Sequence, residues 1–138
     1  MRISRFVLTF LAWFAVASFL LACGSSTPRQ LQSITVSPAT ADAQNSPGGQ
    51  VQFTTTGNYN TSPQMVTSPS VTWGTCYQNA STNAVSVTSG GLAQCASGAS
   101  GTYTIWADAP ANPDIACNAI TACGGGCNIV GTAQLTCP

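Results

Sequence analysis

The chain has no histidine, lysine or glutamate, and charged residues make up only 4% of its 138 positions. Each absence excludes a class of function. General acid–base catalysis needs a side chain that titrates near its working pH, most often histidine, otherwise a tuned carboxylate or lysine. The aspartates present, Asp42, Asp108 and Asp114, show no paired pattern. Serines abound, but no base is available to activate one. The composition therefore points to a non-enzyme that uses no cofactor. Nucleic acid is excluded as a partner, because phosphates are neutralised by a basic surface and Arg29 is the only cation beyond residue 22. Electrostatic attachment to anionic headgroups is excluded on the same ground. Against Asp42, Asp108 and Asp114, Arg29 leaves residues 23–138 with a formal charge of −2. Heptads and amphipathic helical stretches of useful length are also missing.

Low charge does not make the chain disordered, since disorder goes with low hydrophobicity and 44% of these residues are hydrophobic. Ser, Thr, Asn, Gln and Gly supply the polar surface. Such residues suit strands and turns, so the composition predicts an all-β protein.

The first segment is set apart from the rest. Arg2 and Arg5 precede an uncharged run, residues 6–22, that ends in Leu20-Leu21-Ala22-Cys23-Gly24. A transmembrane helix needs roughly 20 apolar residues, and this run lies at that lower edge. The basic start and the small residue before the cysteine favour a signal peptide over a span. Leu20 to Gly24 resemble the lipobox of bacterial lipoproteins. The resemblance implies a diacylglyceryl group on the Cys23 thiol, cleavage before Cys23 and acylation of the new amino terminus. It divides the chain into a signal peptide at 1–22, a lipidated cysteine and tether at 23–30, and one domain at 31–138. It also implies an exported protein held to a membrane by lipid. No aspartate follows Cys23, so in a host with two membranes the expected location is the outer one or the cell surface.

Apart from Cys23, the cysteines are Cys76, Cys95, Cys117, Cys123, Cys127 and Cys137. An even set in a small exported domain reads as disulfides, and six cysteines allow 15 connectivities. Cys117, Cys123 and Cys127 are spaced closely enough to crowd around zinc. No histidine is present, however, and thiolate zinc sites belong mainly to reducing compartments, so no metal is expected. Cys76 leaves one predicted strand and Cys95 ends another, which suggests that they pair. Cys117, Cys123, Cys127 and Cys137 would then pair among themselves and pin the long loop to the last strand.

From Leu31 the hydrophobic pattern has period two. The predicted strands are 33–37, 50–57, 71–73, 83–87, 92–95, 102–107 and 130–137, with 58–70 and 108–129 as loops. Pro38, Ser46-Pro47-Gly48-Gly49 and Gly90-Gly91 punctuate them. The alternation predicts a core of Ile34, Val36, Val51, Phe53, Val71, Trp73, Val85, Val87, Leu92, Ile105 and Leu135. Short alternating strands between turns argue for a β-sandwich of about seven strands.

The pieces Leu31–Thr40, Gly49–Phe53, Val71–Trp73, Val85–Val87, Gly91-Leu92 and Gly101–Ile105, in that order, resemble the bacterial immunoglobulin-like domain, group 2. Together they span most of residues 31–107. The resemblance implies an Ig-like sandwich of the kind found in envelope and cell-surface proteins, often adhesins or repeated spacers, and no catalytic residue. The cysteines and the 108–129 insertion depart from the family pattern.

Two readings of function follow. The first is a lipid-anchored envelope module with a structural or adhesion-type interaction role, its partner an envelope protein or surface glycan. The alternative is a small-ligand or carbohydrate binder that uses Trp106 and the 108–129 loop. Tyr103 and Ile105 claim the inward face of their strand, so Trp106 points outward. There it can stack on a ligand or lie covered beneath the loop. Asp108 and Asp114 flank the start of the same loop, at a spacing that matches no calcium loop. Asn60-Thr-Ser62 and Asn79-Ala-Ser81 match glycosylation sequons, which in a bacterial lipoprotein arise by chance.

Overall fold

The structure, a computed structural model, describes residues 27–112, 114, 118–121, 123–126 and 129–138. Cys23 and the 1–22 segment, like Cys117 and Cys127, lie outside the described residues. The described chain is an all-β sandwich.

One layer begins with β1 (Leu31–Ser37), which pairs antiparallel with β4 (Thr54–Tyr59). β5 (Met65–Thr67) extends it on the other side of β4. β3 (Gln50–Gln52) runs into β4 through Phe53 and pairs with β9 (Leu92–Cys95), which pairs in turn with β8 (Val85–Val87). The break at Phe53 is bridged by its N–H, which donates to Gly91 O at 2.9 Å. Gly91 sits at φ +82°, and a Cβ there would meet the Phe53 carbonyl and the Trp73 ring. The Gly90-Gly91 turn is therefore required by both its backbone conformation and its packing.

The second layer has the order β2-β13-β10-β6-β7. Its strands are β2 (Thr40–Asp42), β6 (Thr72–Tyr77), β7 (Ala80–Ser81), β10 (Gly101–Ala109) and β13 (Ile129–Cys137). β10 lies at its centre, antiparallel to both β13 and β6. β2 runs parallel to β13, so the chain changes layers between β1 and β2. The predicted 58–70 loop contains β5, and the predicted 108–129 loop contains a hairpin of β11 (Asn118–Thr121) and β12 (Gly124–Gly126).

Period two sets the core, as expected of strands buried on one face. Ile34, Val36, Val51, Phe53, Val85, Ile105 and Leu135 are buried between the layers. Tyr103, Ala107 and Ala133 join them from β10 and β13. Val71, Trp73 and Val87 pack against this core but are only partly buried. Trp73 borders an open crevice of about 440 Å³ beside Val71, Ser89 and Gly90, so one edge of its ring is left exposed. Leu92 is a correction. Val51 pairs with Ala93 and Val85 with Cys95, so Ala93 and Cys95 take the inward positions of β9. Leu92 falls on the opposite face.

Among the described residues the disulfides are Cys76–Cys123 and Cys95–Cys137, so the expected Cys76–Cys95 pairing is wrong, and so is the expectation that Cys123 and Cys137 pair within the set Cys117, Cys123, Cys127 and Cys137. The reason lies in the alternation of β6. Trp73 packs inward, and the Thr75 hydroxyl donates to Val85 O at 3.0 Å. Gly74 and Cys76 therefore point to the outer side of the sheet. Cys95 points into the sandwich, where it meets Cys137 from the end of β13. One bond joins the two layers, and the other fixes the insertion to the outer face.

Candidate functional site

The sequence singled out Trp106 and the insertion that follows it, and the structure brings them together on the outer face of the second layer. Gly101–Ala109 alternates so that Tyr103, Ile105, Ala107 and Ala109 face the core, while Thr104, Trp106 and Asp108 face out. Trp106 is nevertheless only 3% exposed and Asp108 only 2%. The cover comes from the insertion, whose β12 packs over β10 and β6. Gly124 is buried in that contact.

Local sequence makes room for the indole. Trp106 stands across from Gly74 on β6 and Thr132 on β13. A Cβ on Gly74 would run into the benzene half of the ring. The indole therefore lies flat against the β6 backbone, which only glycine permits here. Its Nε1 is buried with no hydrogen-bond partner among the described residues. Of the two roles open to an outward Trp106, the structure has the covered one: the insertion, stapled through Cys123 to the neighbouring Cys76, closes over the indole and leaves no exposed stacking face. Asp108 is likewise no surface aspartate. Asp114 is exposed, and its N–H donates to Asn112 Oδ1 at 3.1 Å. Among the described residues, no three or more His, Cys, Asp or Glu side chains gather where they could hold a metal ion.

A second arrangement, which the sequence reading missed, lies where the chain enters the domain. Asn60 holds the tether on both sides of Arg29. Its Oδ1 accepts from Gln30 N at 2.7 Å, and its Nδ2 donates to Pro28 O at 3.1 Å. The Asn60 N–H also donates to Gln30 O at 3.0 Å. The Arg29 guanidinium lies 4.0 Å above the Tyr59 ring centre and donates through Nη2 to Pro63 O at 2.9 Å. The only signal available in the sequence was an asparagine just after an alternating strand, and its match to a sequon drew attention elsewhere. At the opposite end, Tyr77 packs against Tyr103 with ring centres 5.0 Å apart and planes tilted by 41°, and Tyr77 is 39% exposed.

Set beside known proteins, the chain matches no family model, and no curated protein matches it in sequence.

Proposed function

We propose that this chain is a lipid-anchored, non-catalytic Ig-like module of the bacterial cell envelope, acting as a structural or adhesion-type interaction domain. The observation that carries the reading is the closed outer face. A binder built on Trp106 needs an open aromatic cleft beside the insertion. Instead the insertion is fastened over the indole by Cys76–Cys123. That arrangement favours a stapled building unit over the carbohydrate-binding alternative.

Two further observations support it. Disulfides persist in oxidising compartments, which agrees with an exported domain. The strand order places β13, β10 and β6 side by side with β2 parallel at the edge. That order agrees with the Ig-like resemblance carried by residues 31–107. In this reading Cys23 bears the acyl chains. More than one chain gives firm attachment, since a single chain holds only marginally.

Metabolic labelling with a fatty acid in the host tests the anchor. Cys23→Ala should abolish labelling and leave unprocessed precursor, whereas continued labelling would overturn the reading. Cross-linking of the full chain in native envelopes then identifies the protein or glycan that it contacts.

A further inference from the structure

The tether end of the sandwich differs from the other end. It gathers the starts of β1, β5, β6 and β13 and the ends of β4 and β10. Met65, 67% exposed, is the most exposed large hydrophobic side chain among the described residues, and it lies across from Asn58 just beside this end. Val130, 40% exposed, lies here too, across from Asp108. Arg29 is the only cation among residues 23–138, and it is exposed at the same place.

Asn60 fixes where the tether becomes part of the domain. Its bonds to residues 28 and 30 tie the chain down before β1 begins. At 3.3–3.6 Å per residue, five steps from Cys23 to Pro28 reach about 18 Å at most, whatever path they take. On the lipid-anchor reading, on which this inference rests, that distance is too short for the domain to turn over freely above a bilayer.

We propose that the tether end is a membrane-facing surface, and that its occupant is the phospholipid headgroup layer of the bilayer that holds Cys23. The lipid supplies the affinity, while this end sets the orientation. A guanidinium carries five N–H donors, and the Pro63 carbonyl takes one at Nη2. Stacking on Tyr59 holds the group at the rim, aimed at the level where lipid phosphates lie, and guanidinium pairs well with phosphate oxygens. Tyr59 has the apolar body and polar tip suited to a bilayer interface. Met65 and Val130 add exposed apolar side chains near this end, one on each layer. The opposite end, with Tyr77, the Gln78-Asn79 turn and the Ser97–Gly101 loop, then faces away from the membrane and is the end open to a partner.

The test is hydrogen exchange on the full lipidated protein. It is compared in detergent and in mixed phosphatidylethanolamine–phosphatidylglycerol vesicles. The expected result is at least fivefold slower exchange on vesicles at residues 58–66 and 109–112, with no change at 97–101. Asn60→Ala should remove most of that slowing while core amides in β10 and β13 keep their rates. Arg29→Gln leaves the Asn60 clamp intact and should reduce the slowing at 58–66 by at least twofold. Unchanged exchange at 58–66 in protein that stays on the vesicles would overturn this inference and leave the anchor reading standing. Protein that does not stay on the vesicles would overturn both.

Discussion

β10 is buried on both faces, by two different devices. Its inner face carries Tyr103, Ile105, Ala107 and Ala109 into the core between the layers. Burial there follows from alternation and from the second layer's place in the sandwich. Its outer face carries Trp106 and Asp108, which belong to the side of a sheet that would ordinarily meet water. They are covered by the β11–β12 hairpin, held by Cys76–Cys123. The inner face is a core that a β-sandwich makes for itself, whereas the outer face is a core made by an insertion and a covalent bond. A small domain with few charges gains from such staples, since it cannot draw on ion pairs and its hydrophobic core is limited.

The strongest test of this difference is to remove each disulfide separately. The bonds span 47 and 42 residues, so the chain-entropy account assigns each about 4 kcal/mol. The distinction should appear in the indole. In protein processed to Cys23, which lacks Trp13, and in a Trp73→Phe background, Cys76→Ala with Cys123→Ala should raise acrylamide quenching of Trp106 and shift its emission to the red. Cys95→Ala with Cys137→Ala should leave that emission in place below the unfolding transition. Equal quenching in the two variants would mean that the hairpin is held by something other than its disulfide.

Within the inner face, Ile105→Ala should cost about 3 kcal/mol by urea denaturation, the middle of the range for a fully buried isoleucine. A loss below about 1 kcal/mol would show that the sandwich core collapses around the gap. On the outer face, Gly74→Ala should cost about 2 kcal/mol, because the added methyl must displace a rigid indole already fitted to the β6 backbone. The same variant should weaken the near-ultraviolet circular dichroism of Trp106. If Gly74→Ala is neutral, the outer face is a loose cover and not a packed core. The smallest effect is expected at Gln94, whose side chain accepts a 3.3 Å bond from Gln50 Nε2 on the exposed face of β9. Gln94→Ala should change stability by less than about 0.5 kcal/mol, and a larger loss would place an unrecognised contact there.

Legibility in the sequence followed the same division. The strands that build the inner core could be read because their inward residues recur every second position, as at Ile34 and Val36 or Val51 and Phe53. The errors in that region were errors of phase or environment. In Leu92-Ala-Gln-Cys95 both phases offer an apolar residue, and pairing with Val51 and Val87, not hydrophobicity, selects Ala93. β5 is three residues long among Asn, Ser, Thr and Pro, too short for any periodicity. The β6–β7 turn uses Gln78 and Asn79 at positive φ, where the usual glycine signal is missing. The Asn60 clamp joins residues some 30 positions apart and has no local mark.

By itself the sequence determined the all-β class, the alternating inward set of the main strands, the scarcity of charge, and the direction in which Trp106 leaves its strand. These are consequences of local covalent geometry, since a strand turns successive side chains to opposite faces wherever it sits. Only the tertiary structure decided what lies over Trp106 and which cysteines meet. Cys76 and Cys95 lie at or next to the last residue of their strands, yet one faces out of the sandwich and the other faces in. That difference depends on register and on where a distant insertion lands. Such long-range placement is set by the packing of the two layers and leaves no trace in the spacing of residues along the chain.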